Sequence, residues 1–278
     1  MDVRDPLRER ALTLRAAALA RPERFVAALA AVAREAARRT PAPRELPFFA
    51  LDLPEGCGPK LLERLSELGI FRVYERVLDL GGGLGAPARW LARRRGCRVV
   101  TVDWSPRATI AARLLTRRSG LEDRVGSICG VLDRLPFRVA AFTHAWSIEA
   151  LHGARDKRGV FREAYRVLRP GGQIAVQDWV LAKGAPPEPG AYEPAERYRQ
   201  TLSSEGFVQV AEVPAGDLRE PWSAVAALAA ERLARDVAET DTAEIEEALC
   251  ARARLAEQQA AADAGRIELV QIFAQKPS

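Results

Sequence analysis

Apolar residues recur at Leu7, Ala11, Leu14 and Ala18, and again at Phe25, Ala28, Leu29 and Val32. Spacings of three and four predict two amphipathic helices. Pro41, Pro43 and Pro47 bias their predecessors away from the helical region, so residues 40–58 read as an extended connector. A short helix follows from Pro59 to about Leu68, with Gly69 placed to stop it. Residues 1–70 thus form an expected N-terminal helical cap, and residues 71–278 a second unit with a different rhythm.

After Tyr74, apolar β-branched runs alternate with helical periods. Strands are predicted at Val77 to Leu80, Arg98 to Val102, Arg124 to Cys129, Ala140 to Trp146 and Gln173 to Trp179, the last following a turn at Arg169-Pro170-Gly171-Gly172. Helices are predicted at Pro87 to Arg95, from Ser105-Pro106 to Arg118, and at Lys157 to Leu168. Serine before proline supplies an N-cap and a first position with no amide to satisfy. Beyond the Gly and Pro cluster after Lys183, helices are expected at Tyr192 to Ser203, Pro221 to Val237 and Thr242 to Asp263, with strands at Phe207 to Val213 and Ile267 to Ala274. Strand and helix units of this length imply an α/β fold: a doubly wound, seven-stranded, mostly parallel sheet covered on both faces.

Composition narrows the functional classes. No apolar run approaches the ~20 residues of a membrane helix. Six charged residues between Arg4 and Arg15 interrupt any secretory core, so the expected compartment is the cytoplasm. The four cysteines, Cys57, Cys97, Cys129 and Cys250, lie far apart, and the chain has only two histidines, a pattern that supports neither zinc nor a disulfide framework. Cys97 and Cys129 are expected in or beside buried strands. The formal net charge of +5 invites a nucleic-acid reading, but basic and acidic residues are interleaved. The one dense cluster, Arg93, Arg94, Arg95 and Arg98, ends a helix whose dipole it complements. Only four of the 42 basic residues are lysines.

The first predicted strand runs Val77-Leu78-Asp79-Leu80 into Gly81-Gly82-Gly83-Leu84-Gly85-Ala86 and then a helix. Glycines at such a turn let backbone amides approach a ligand and set the positive helix end beside it. Gly81, Gly83 and Ala86 satisfy a dinucleotide pattern, so a nicotinamide-dependent oxidoreductase is one reading. Asp79 and Asp103 point elsewhere. One is placed for an ammonium on an amino-acid tail, the other for two ribose hydroxyls. Each also has a plain structural role open to it, as a cap of backbone amides or an exposed turn residue. His144, inside an apolar strand, reads as a core histidine. Glu149 and His152 follow the fourth strand on the rim where parallel sheets bind ligands, three residues apart on one face of an expected helical turn. Trp146, Trp179 and Trp222 are candidate walls of an acceptor pocket or plain core.

The series Val77 to Gly85, Asp103, Leu135-Pro136-Phe137, Trp146-Ser147-Ile148-Glu149 and Leu168-Arg169-Pro170-Gly171-Gly172 resembles class I S-adenosylmethionine-dependent methyltransferases. It is most similar to the group of sarcosine/dimethylglycine N-methyltransferases and ubiquinone/menaquinone C-methyltransferases. The resemblance covers residues 77–180 and implies a Rossmann-like methyltransferase fold with the last strand antiparallel between its neighbours. It implies that Gly81, Gly83 and Gly85 wrap the methionine part of S-adenosylmethionine, with Asp79 nearby, that Asp103 holds the ribose and that Trp104 packs on adenine. Val131 stands where the family has an acid, so Leu132 backbone groups or Asp133 are the expected adenine contacts, and Trp146 is counted with the cofactor positions. Thr143 stands where an Asp is usual. The implied reaction is methyl transfer to N, O or C of a small molecule; where the acceptor must lose a proton, His152 oriented by Glu149 is the candidate general base. The N-terminal helices and the segment from Gly184 to Pro221 are the expected lid. A protein that binds the cofactor without turnover is the second alternative, motivated by Val131 and Thr143.

Overall fold

The computed structural model describes residues 58–186, 192–215, 257–258 and 260–278, with residues 22, 23, 26, 27 and 30. The helices expected at residues 7–18 and 221–237, and most of those at 25–33 and 242–263, lie outside the described residues, as do the connector, Cys57, Trp222 and Cys250.

Helix α1 (Pro59–Leu68) starts on a proline and buries Leu61, Leu62 and Leu65. Gly69 ends it, but for a different reason from the one expected. Its φ is −79°, and the left-handed position falls to Ile70 at φ 55°, a strained choice for a β-branched residue. Glycine is needed at 69 for space, because a Cβ there would lie 2.5 Å from the Phe71 ring.

The order thereafter is β1 (Arg76–Leu80), α2 (Ala86–Arg95), β2 (Arg98–Asp103), α3 (Pro106–Arg118), β3 (Val125–Cys129), β4 (Phe142–Ile148), α4 (Lys157–Val167), β5 (Leu168–Leu181), α5 (Ala195–Ser204), β6 (Val208–Pro214) and β7 (Ile267–Gln275). Ser105 accepts from the Ala108 amide and caps α3, and Asp156 does the same for α4 from Gly159. The strands form one sheet in the order β3-β2-β1-β4-β5-β7-β6. The first five pair in parallel, and β7 runs antiparallel to both β5 and β6. The expected seven-stranded doubly wound sheet is the observed one.

Two boundaries move. Strand β4 begins at Phe142, two residues later than expected, because Ala140 takes φ 55° and turns the chain. The Arg169 to Gly172 segment, expected as a turn before β5, is part of it. Phe142 pairs with Leu168 and His144 with Gln173, so the extra residues form a bulge on one strand, with Gly171 at φ 72°. One face of the sheet packs on α4 and α5 through Val160, Phe161, Tyr198 and Leu202. The other packs on α1 and α2 through Leu62, Leu65, Ala88 and Leu91. Covering both faces is what allows continuous apolar strands such as β1, whose last four residues are all buried.

Candidate active site

The carboxyl ends of β1, β2, β4 and β5 build the site. Gly81, Gly83 and Gly85 all take left-handed φ, at 79°, 51° and 80°, so the alternate glycines are demanded by the backbone of the turn. The Gly81 and Gly82 amides donate to the Val102 carbonyl at 2.8 and 3.3 Å. The Gly83 amide donates to Oδ2 of Asp103 at 2.9 Å, while Oδ1 accepts from the Ser105 amide at 2.9 Å. Asp103 therefore ties the glycine turn to the start of α3.

Asp79 lies beneath this turn. It is 1% exposed, and its Oδ2 has no partner. A Cβ on Gly82 would sit 2.8 Å from that oxygen and 2.5 Å from the Thr101 Cβ. Burial first, and the Asp103 charge second, push the Asp79 carboxyl up to about 8, against a small opposing contribution from the Trp146 indole.

Gly81 faces two further loops. A Cβ there would lie 2.3 Å from the Ala150 Cβ and 3.9 Å from a Leu132 methyl, so the loops after β1, β3 and β4 converge on one glycine. Trp104 is 76% exposed and follows Asp103 on this rim, where Val131 is exposed too. Asp133 sits instead against Gly159, in the first turn of α4. Trp146 is fully buried with its ring centroid 5.4 Å from that of Phe71 and sits beside Asp79 in strand register. Cys129, expected in a buried setting, is exposed at the end of the edge strand β3 with its thiol on the Trp104 carbonyl. Thr143 exchanges hydrogen bonds with the Arg76 backbone at the opposite end of the sheet. His144 is buried between Glu75, at 3.3 Å, and the Phe71 ring, and burial lowers its pKa despite Glu75.

His152 lies in a single 3₁₀ turn, Leu151–Gly153, and its orienting group is Asp178, not Glu149. Asp178 is 0% exposed. Its Oδ1 is 2.6 Å from His152 Nδ1, and its Oδ2 accepts from the His152 amide at 2.6 Å and from the Tyr198 hydroxyl at 3.0 Å. Burial alone would lower the His152 pKa, but the Asp178 carboxylate outweighs it, with help from Glu149, and the net direction is upward. Tyr198 is pushed well above its ordinary value by burial and then by Asp178, so it stays a donor. With Nδ1–H donated to Asp178, Nε2 is left as the acceptor. It lies 3.3 Å from the Gln258 amide nitrogen, and Tyr192 stacks on the ring at 5.5 Å.

Glu149 takes φ 52°, which turns it away from the histidine. Its oxygens accept from the Trp179 indole at 3.0 Å and the Gln177 amide at 3.4 Å. Trp179 is 3% exposed and belongs to the wall behind this carboxylate. Asp178, Tyr198, Gln177 and Gln258 were not singled out from the sequence. The one available signal was Asp178 itself, the single charged residue between Gln173 and Trp179.

The comparisons bear on the same stretch: residues 78–176 match the family profile described as a methyltransferase domain. Among known proteins, the chain is 39% identical over 125 residues to the methyltransferase GfsG of Streptomyces halstedii, covering 45% of each chain. It is 33% identical over 147 residues to the 27-O-demethylrifamycin SV methyltransferase of Amycolatopsis mediterranei (52% of this chain, 53% of that one). The sarcosine/dimethylglycine N-methyltransferase of Halorhodospira halochloris is 30% identical over 146 residues, covering 48% and 52%. The match spans about half the length of these relatives. The fold is shared with the [4+2]-cyclase SpnF (TM-score 0.61, 23% identity, 78% of this chain, 80% of that one) and with a Haemonchus contortus phosphoethanolamine N-methyltransferase (TM-score 0.61, 20% identity, 88% and 60%). One of those names is a cyclase, so the fold alone does not fix the chemistry.

Proposed function

We propose that this protein is an S-adenosylmethionine-dependent methyltransferase acting on N, O or C of a small-molecule acceptor. The observation that carries the reading is the convergence at Gly81, which brings the glycine turn, Leu132 and the segment leading to His152 onto one rim. The residues fit the cofactor. Asp79 offers a buried, unpartnered carboxylate oxygen to a cationic amino-acid tail, Gly83 has open space where a Cβ would stand, Asp103 sets a carboxylate at the end of β2 where ribose hydroxyls would lie, and exposed Trp104 offers a face to adenine. When bound, the cofactor supplies a sulfonium methyl with a good leaving group already attached. The protein's task is then positioning and exclusion of water.

Where the acceptor must lose a proton, Nε2 of His152 takes it. Asp178 fixes the tautomer and stabilises the resulting imidazolium, and the acceptor displaces the Gln258 amide from Nε2. Among the described residues no helix is long and apolar enough to cross a membrane. The exposed Cys129 thiol suits a reducing cytoplasm, and the paired arginines of α2 support a small molecule over nucleic acid: Arg94 and Arg95 reach Glu63, and Arg93 the Ser119 carbonyl. Calorimetry with S-adenosylmethionine tests the reading. Asp103→Ala should weaken binding at least about tenfold, or 1.4 kcal/mol. Equal affinity in the variant would remove the ribose assignment, and absence of binding by the wild type would remove the function.

A further inference from the structure

At the amino ends of the strands, on the rim opposite the glycine turn, lies a concave site of about 560 Å³ that the methyl-transfer reading does not use. Three arginines from three segments surround it: Arg76 at the start of β1, Arg98 at the start of β2 and Arg138 in the loop before β4. Val100, Phe137 and Phe142 give it an apolar floor. Phe137 and Phe142 meet edge to face at 4.9 Å.

Two further facts bear on its chemistry. Arg76 and Arg98 are partners in parallel register, so their side chains start from strands about 4.8 Å apart, a like-charge pairing that a bound anion would relieve. Arg95, Arg158 and Arg166, by contrast, have acidic partners in Glu63, Glu205 and Glu163. The guanidinium groups of Arg76, Arg98 and Arg138 have no hydrogen bond or ion pair among the described residues, and no carboxylate lines the site. The volume falls within the range of small-molecule sites, roughly 300–1,000 Å³. Guanidinium forks match phosphate oxygens better than any other side chain. The distance along β2 from Arg98 to Asp103 is about 17 Å at ~3.3 Å per residue, so the site is separate from the rim crevice.

We propose that this pocket binds a phosphorylated small molecule with an apolar or aromatic body, its phosphate held by Arg76, Arg98 and Arg138 and its body on Phe137 and Phe142. The test is a calorimetric titration of phenyl phosphate into the full chain, with S-adenosylhomocysteine in excess so that the rim is not the reporter, at about physiological ionic strength. The expected result is saturable one-to-one binding, weakened at least about tenfold in Arg98→Gln and in Arg138→Gln and unchanged in Arg117→Gln on α3. Phenol, which lacks the phosphate, should bind at least about tenfold more weakly. Heats that never saturate, or equal affinity in wild type and both pocket variants, would overturn the proposal. So would retention of the protein on phosphatidate vesicles that excess phenyl phosphate cannot displace, since that would make the site a lipid surface. Because Arg98→Gln and Arg138→Gln remove repulsion from exposed positions, both should fold, and thermal melts without ligand confirm it.

Discussion

Asp79→Asn removes a buried acid while keeping its shape, and the structure fixes how its effect must vary with pH. In the native protein the carboxyl is raised from an ordinary 3.8 to about 8. Between those values the folded state holds a proton that the unfolded chain has released, so stability must fall as pH rises, by about 1.36 kcal/mol per unit. From pH 5 to pH 7 this one group costs the wild type about 3 kcal/mol, a cost Asn does not share. The raised His152 pKa also makes stability depend on pH, but that histidine is present in both proteins and cancels in their difference. Urea denaturation of wild type and variant at pH 5 and pH 7 reads the quantity directly. The variant should gain about 3 kcal/mol on the wild type between the two pH values. A constant difference would refute the buried, protonated carboxyl. Saturating S-adenosylmethionine should flatten the wild-type slope, because an ammonium beside Asp79 favours the carboxylate, and the variant should bind it more weakly.

His152→Ala should keep cofactor affinity and lower turnover about 10²-fold or more, as expected for loss of a general base; a raised KM with turnover intact would reduce His152 to a pocket wall. Asp178→Asn removes the charge that raises the imidazole pKa, so the acid limb of the rate profile, which needs neutral His152, should move to lower pH as the rate falls; an unmoved limb would sever the two residues. Gly82→Ala should cost about 1–3 kcal/mol in a thermal or urea melt from overpacking on Thr101 and Asp79, and an unchanged melt would mean that the turn yields. Gel shifts against DNA and RNA at physiological salt should show no retention, and submicromolar, sequence-selective retention would contradict the small-molecule assignment.

The sheet was legible because each of its signals is local: the two-residue period of the strands, Ser105-Pro106 before α3, and glycines wherever φ turns positive between Gly81 and Gly85. The acidic flanks of that turn, Asp79 and Asp103, were legible as well. The histidine's partner was not, because Asp178 lies 26 residues from His152 and only strand pairing brings them together. Glu149 misled for a related reason. Its spacing of three from His152 joins the two side chains only if the chain is already helical between them, and Glu149 at φ 52° breaks that condition. Cys129 misled through residue type: free cysteine favours burial, but β3 is an edge strand whose far end faces solvent.

The N-terminal and rim elements are linked by a row of buried polar groups that local patterns could not reveal. Glu149 accepts from Gln177, whose amide oxygen accepts from Gln271 at 2.8 Å, and Gln271 in turn donates to the Leu61 carbonyl and accepts from Arg64 at 2.8 Å. Gln177 and Gln271 are both 0% exposed. Burying two amides in an apolar sheet is tolerable only if their donors and acceptors are met. What meets them is topology: the antiparallel insertion of β7 sets Gln271 in register with Gln177, and α1 closes the row with Leu61 and Arg64. Arg64 also reaches the Pro214 carbonyl of β6, so one side chain of α1 ties two strands and, through two glutamines, the rim carboxylate. A division of the chain at residue 70 follows the change of rhythm in the sequence but places α1 apart from the row that holds Glu149 in position.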